Sequence, residues 1–192
     1  MAEVSLAHVK AEFAVTLGYI RGDIKWLLKQ NEGPNPAGLN YTVGLLIGCG
    51  CEMLAACAGD KKRNGEKIFA ELLPSADWQL LAKRLYTALR DGLAHGFDTK
   101  HLAVDGKEHQ ILLNSSERSK LGFLRESRGI GLQIGLRPIA EGLCPKIDAL
   151  EAVLAHDLDA RRRFVAAWQP PAVLNEKEAE AWRRLVQSSG IR

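Results

Sequence analysis

The sequence predicts a mainly α fold, a helical bundle with a small antiparallel β-meander appended at about residues 100–136. Three observations predict it. Apolar residues recur at three- and four-residue spacing through the first half of the chain, the mark of helices that bury one face. After residue 100 the pattern shifts to short apolar runs punctuated by Asp105-Gly106 and a run of alternate glycines. Helical spacing then returns at Pro138 and persists almost to the end.

The first helix is expected over about residues 4–30, where Leu6, Val9, Phe13, Leu17, Ile20, Ile24, Leu27 and Leu28 form a stripe and Gly33-Pro34-Asn35-Pro36 follows as a stop. The second, about Leu39 to Ala58, is apolar nearly all round and reads as the buried centre of the bundle; Glu52 in its middle argues against a membrane span. Gly44 and Gly48 on it lie four apart, leaving a groove where another backbone could approach closely, in tight internal packing or in a dimer seam. The cluster Lys61-Lys62-Arg63 precedes a short helix that ends near Leu73-Pro74.

A third long helix starts near Ser75 or Asp77, either of which is suited to cap it, and faces Trp78, Leu81, Leu85, Ala88, Leu89 and Gly92 to the core. Gly92 and Gly96 predict that it frays or ends there. Residues 100–104 and 107–113 read as a hairpin, since Asp-Gly tolerates the positive φ of a tight turn, and Gly129–Leu136 reads as a third strand. Pro138 suits the first turn of the next helix, expected to run towards Trp168 with a break near Pro145. Glu176–Gln187 forms a final charged helix.

With 192 residues, 46% of them hydrophobic, the chain is long enough for a sizeable core and reads as a single domain, 1–192. A net charge of +3 allows a polyanionic partner but falls short of a dedicated nucleic-acid binder. Cys49, Cys51, Cys57 and Cys144 lack both zinc-site spacing and the density of a disulfide scaffold, so they are expected as reduced core residues. Glu3, Lys10 and Glu12 interrupt any secretory apolar run near the start, so the expected location is cytoplasmic, without a membrane partner.

Chemistry concentrates in Arg90-Asp91-Gly92-Leu93-Ala94-His95. Arg supplies a permanently charged fork for phosphate oxygens, and His exchanges a proton near neutral pH. Asp91 and His95 are four apart and share a helix face, where a carboxylate can hold one imidazole nitrogen and leave the other free to act. Five residues on an ideal helix advance by about 500°, so Arg90 and His95 are roughly 140° apart around the axis. They meet only if the helix unwinds at Gly92 or if a second subunit supplies one of them. Arg84, Lys83 and His101 are candidate substrate contacts around this face.

An Arg followed by a polar residue, with His four to six positions beyond the Arg, resembles the motif of the HEPN superfamily of small helical bundles; here it is matched by Arg90, Asp91 and His95 alone. The resemblance implies a HEPN-like helical bundle and a site assembled at a symmetric dimer interface. Many members are metal-independent ribonucleases, often toxins or antiviral effectors, and some are paired with a nucleotidyltransferase-like antitoxin. The function so implied is a metal-independent endoribonuclease, a homodimer acting on RNA, with Arg90, Asp91 and His95 catalytic and no cofactor. Other members are noncatalytic nucleotide-binding or dimerisation modules, which is the alternative. A third class, a metal hydrolase on His95, His101 and His109, loses its ligands in the hairpin: a two-residue turn pairs His101 with Gln110 and Leu102 with His109, on opposite sheet faces.

Overall fold

The computed structural model describes residues 5–32, 39–60, 64–96, 102–116, 120–126, 129–167 and 175–188; for residues 91–96, 125, 126, 129 and 188 it describes the backbone only. The fold is mainly helical with a small sheet region. The first helical run consists of α1 (Leu6–Phe13), a π-helical turn (Ala14–Gly18) and α2 (Tyr19–Gln30). Ser5 caps α1 by accepting from His8 N at 3.2 Å. The π turn adds a residue to the ladder, and Thr16 Oγ1 donates to the Glu12 carbonyl at 2.7 Å beside it. Val9, Phe13, Leu17, Ile24, Leu27 and Leu28 are buried, as their spacing predicts.

Helix α3 (Asn40–Cys57) is the central element. It is long and apolar enough to cross a membrane by composition, but Val43, Ile47, Cys51 and Leu54 are buried against the other helices. Short α4 (Glu66–Glu71) lays Phe69 on Tyr86, ring centroids 5.5 Å apart, and Gly65 at its start lies directly on the α3 backbone. The expected third helix is two: α5 (Ala76–Leu80), then α6 (Ala82–Gly96) after a turn at Leu81. That turn resets the helical phase. Leu85, Ala88 and Leu89 stay buried, whereas Leu81 is exposed and Trp78 stacks on Phe123 at 5.6 Å.

Strands β1 (Leu102–Val104) and β2 (Lys107–His109) form the expected hairpin, with Asp105 and Gly106 at φ 50° and 73° and Leu102 opposite His109. The antiparallel meander does not continue beyond it. The strand expected over 107–113 parts at Gln110, and β3 (Ile111–Asn114) leaves the hairpin for a separate sheet with β4 (Gly122–Glu126) and β5 (Gly129–Gly135). The order there is β3-β5-β4, with β3 parallel and β4 antiparallel to β5. Apolar register explains the parallel seam: Ile111 pairs with Leu132 and Leu113 with Ile134, and Ile111, Leu132 and Ile134 are all buried. The chain entering β4 crosses the end of β5 so closely that a Cβ on Gly135 would lie 2.6 Å from the Lys120 backbone.

Helix α7 (Leu136–His156) carries Pro138 in its first turn as expected but runs through Pro145 without ending. The break comes at Asp157, where the carboxylate accepts from Ala160 N at 2.9 Å and caps α8 (Leu158–Ala166). The Asp157 carboxyl is held below its ordinary range chiefly by that bond. A local cap thus stops the helix where a proline inside it does not. Arg21 on α2 straps α7 by pairing with Asp148 and, at 2.7 Å, with Glu151. Helix α9 (Glu176–Ser188) is the last element.

A buried polar link ties sheet to helices. Ser115, fully buried after β3, donates its hydroxyl to Asn40 Oδ1 at 2.6 Å and its backbone N–H to the same oxygen at 2.9 Å, and accepts from Asn31 Nδ2. Ser115→Ala leaves the Asn31 amide without that acceptor, and is expected to cost about 1–3 kcal/mol in urea denaturation. An unchanged midpoint would show that the link contributes nothing.

Candidate functional site

Helix α6 is amphipathic because its apolar residues recur at three and four: Ala82, Leu85, Tyr86, Ala88 and Leu89 are buried, and Lys83, Arg84 and Arg90 are exposed. Its helical backbone persists through Gly92 and ends at Gly96, the later of the two expected stops, so it does not fray between Arg90 and His95. A glycine inside a helix costs about 1 kcal/mol against alanine, and the helix continues across Gly92 all the same. Unwinding at Gly92 is therefore not how Arg90 and His95 meet. Within one chain they occupy positions roughly 140° apart on an unbroken helix.

Arg90 leaves the buried face at its edge and lies across α3. Its Cβ and Cγ run past Gly48, where an added Cβ would sit 3.7 Å from Arg90 Cγ. The space beside Gly48 is thus taken by α6 of the same chain. Arg90 Nε donates to Glu52 Oε1 at 2.6 Å, one turn further along α3. One turn earlier on α6, the Tyr86 hydroxyl donates to the Gly48 carbonyl at 3.3 Å. Tyr86 and Arg90 therefore span Gly48 and Glu52, and the arrangement fixes the base of the guanidinium while leaving its side chain 44% exposed. Burial, then the Glu52 carboxylate, push the Tyr86 hydroxyl well above its ordinary range, so it stays a neutral donor.

The nearby thiols are held toward the protonated form. Burial and Glu52 raise Cys49, and burial pushes Cys51 up to about 12. Cys51, Cys57 and Cys144 are buried and outside any disulfide, as the sequence predicts, whereas Cys49 is exposed.

Asp91 and His95 occupy α6 four residues apart, and Arg84 stands seven residues before Asp91, near the same side of the helix. Lys83 and Arg84 are solvent-facing. His101 lies outside the described residues. His109, from the metal reading, has its Nδ1 2.9 Å from the Ile130 carbonyl oxygen, and Leu102 faces it across the hairpin as expected.

Glu52 is the site residue that sequence reasoning missed. A single carboxylate inside an otherwise apolar helix signals a specific partner, because burying a charge is unfavourable without one. The signal was present, but the partner depends on which helix packs across α3. No family model, curated protein or solved structure matches the chain. The HEPN resemblance stands on Arg90, Asp91 and His95 themselves.

Proposed function

We propose that the chain is a HEPN-like, metal-independent endoribonuclease, a cytoplasmic homodimer that cuts RNA with Arg90 and His95 contributed across a two-fold axis. The observation that carries this reading is the unbroken α6: it separates the two groups within one chain while presenting Arg90 to solvent on a fixed base. A symmetric pairing near His95 restores both groups to one phosphate. Asp91 orients the imidazole, and Lys83, Arg84 and His101 contact the RNA backbone.

In the reaction, the 2′-oxygen attacks its own phosphorus as His95 takes the hydroxyl proton, and the bond to the 5′-oxygen breaks as the imidazolium so formed returns that proton to the leaving oxygen. The products are a 2′,3′-cyclic phosphate and a 5′-hydroxyl. Arg90 stabilises charge on the phosphoryl oxygens. The nucleophile lies within the substrate, so no metal is required to generate it. A toxin or defence role follows from the same resemblance, with a nucleotidyltransferase-like antitoxin as partner.

One observation favours the alternative, a noncatalytic nucleotide-binding or dimerisation module: Glu52 already engages Arg90, so a phosphate must share that guanidinium with a carboxylate. Purified protein with unstructured RNA in excess chelator separates the two. Cleavage to cyclic phosphate ends, sparing DNA and slowing as the imidazole protonates, is the expected result. Tight RNA binding without cleavage assigns the module; loss of all cleavage in chelator, or equal cleavage of DNA, removes the mechanism.

A further inference from the structure

The outer side of α2 carries aromatic rings where a helix that buries one face ordinarily carries charge. Ile24 and Leu28 are buried, and on the side turned away from them stand Tyr19, Gly22 and Trp26, spaced by three and four residues. Tyr19 is 63% exposed and Trp26 59%. Gly22 between them is also exposed, with nothing within 4 Å of where a Cβ would stand. A glycine inside a helix costs about 1 kcal/mol against alanine. No close packing within the chain at that point calls for it, so the bare backbone suits a group that approaches from outside.

The spacing suits stacked bases. Seven residues of α-helix rise about 10.5 Å, so Tyr19 and Trp26 bracket a slot of that length with Gly22 as its floor. Bases in a strand repeat at about 3.4 Å, so a ring, two bases and a second ring fill three intervals, about 10.2 Å. Lys25 and Lys29, four apart and both exposed, line one edge of the slot, and Asp23 stands on the other. A strand with its bases over Gly22 is therefore drawn to place its phosphates along the lysine edge.

We infer that Tyr19, Gly22 and Trp26 form a stacking site for two consecutive unpaired bases of a single-stranded nucleic acid, with Lys25 and Lys29 on its phosphates. Aromatic side chains hold splayed bases through their faces, which every base offers, so such a site tolerates any sequence. A net charge of +3 gives the chain little grip on phosphates alone, and the two rings supply what charge does not. A duplex, whose bases already stack on one another, cannot enter the slot. RNA as the natural strand rests on the reading at α6; the stacking site itself does not.

The probe is a single strand of about 12 nucleotides with 2′-O-methyl riboses, which the reaction at α6 cannot cut, so binding is read whether or not that reaction occurs. The full-length chain is expected to bind it with quenching of tryptophan emission. Trp26→Ala, Tyr19→Ala and Gly22→Leu should each weaken binding about 10-fold, with circular dichroism unchanged because all three positions are exposed. Trp26→Phe keeps a ring and should hold affinity within about 3-fold while most of the quenching disappears. Lys25→Gln together with Lys29→Gln should flatten the salt dependence. Failure to bind the strand, equal affinity for the same strand annealed to its complement, or affinity unaltered by all three of Trp26→Ala, Tyr19→Ala and Gly22→Leu overturns the inference. So does a change in self-association in place of strand affinity, which would make this face a contact between copies. Binding that follows the variants while unmodified RNA stays uncut upholds the stacking site and removes the ribonuclease.

Discussion

Gly65→Ala is expected to lower stability by about 3 kcal/mol or more, among the largest effects of any single-methyl addition to this chain. An added Cβ would lie 2.3 Å from the Tyr86 hydroxyl, 2.8 Å from Glu52 N and 2.9 Å from Cys51 C. The tyrosine can swing aside, but the α3 backbone cannot, so α4 must lift from the central helix. The disturbance also reaches the site, since Tyr86 and Glu52 are the groups that flank Arg90 across the α3–α6 contact. Gly22→Ala is the control: nothing lies within 4 Å of its added Cβ, and an exposed helical alanine should stabilise by up to about 1 kcal/mol. Urea denaturation of the two variants decides the matter. If Gly65→Ala unfolds at the parent midpoint, the close seating of α4 on α3 is wrong.

Arg90→Ala and His95→Ala are expected to reduce RNA cleavage by about 10²–10⁴-fold each while the protein stays folded. For Arg90 the folding half of this follows from partial exposure: its side chain is 44% exposed and that of Glu52 30%, and a pair in contact with solvent contributes on the order of 1 kcal/mol. Asp91→Asn should be milder, because an amide oxygen still accepts a hydrogen bond. Glu52→Gln is the informative companion. It keeps an acceptor for Arg90 Nε but removes the competing charge, so RNA should bind more tightly with cleavage retained. If the Arg90 or His95 alanine variant unfolds or precipitates, the motif is structural; if cleavage survives both, the chemistry lies elsewhere.

Helices with strong stripes were legible from sequence because a 3.6-residue period survives small errors in the ends. Val9, Phe13, Leu17 and Ile24 mark the first run unambiguously, and the Asp105-Gly106 turn fixes its hairpin through a local backbone requirement. What could not be read depends on contacts distant in sequence. The pairing of β3 with β5 is chosen by Ile111 meeting Leu132, and the turn at Leu81 offers no proline or glycine to announce it. The end of α7 was misplaced for a related reason: Pro145 is tolerated by a helix held through Leu143 and Ile147, both fully buried, while Asp157 supplies the cap that begins the next one. At the site, Arg90 and its exposure followed from helical phase. Its carboxylate partner required knowing that α6 lies across Gly48 and Glu52.

The order β3-β5-β4 also imposes a sequence of events on assembly. Strand β5 finds β4 almost at once, since Glu126 and Gly129 are paired neighbours three residues apart, whereas Ile111 and Leu132 are separated by 21 positions along the chain. Closing the longer span costs on the order of 2 kcal/mol more in chain entropy. The hairpin can therefore form early on its own, and β3 arrives late. What holds it there is the helical layer: Ser115, directly after β3, bonds both Asn31 at the end of the first helical run and Asn40 at the start of α3. The seam that closes the longest span of the sheet is thus the one pinned to the bundle.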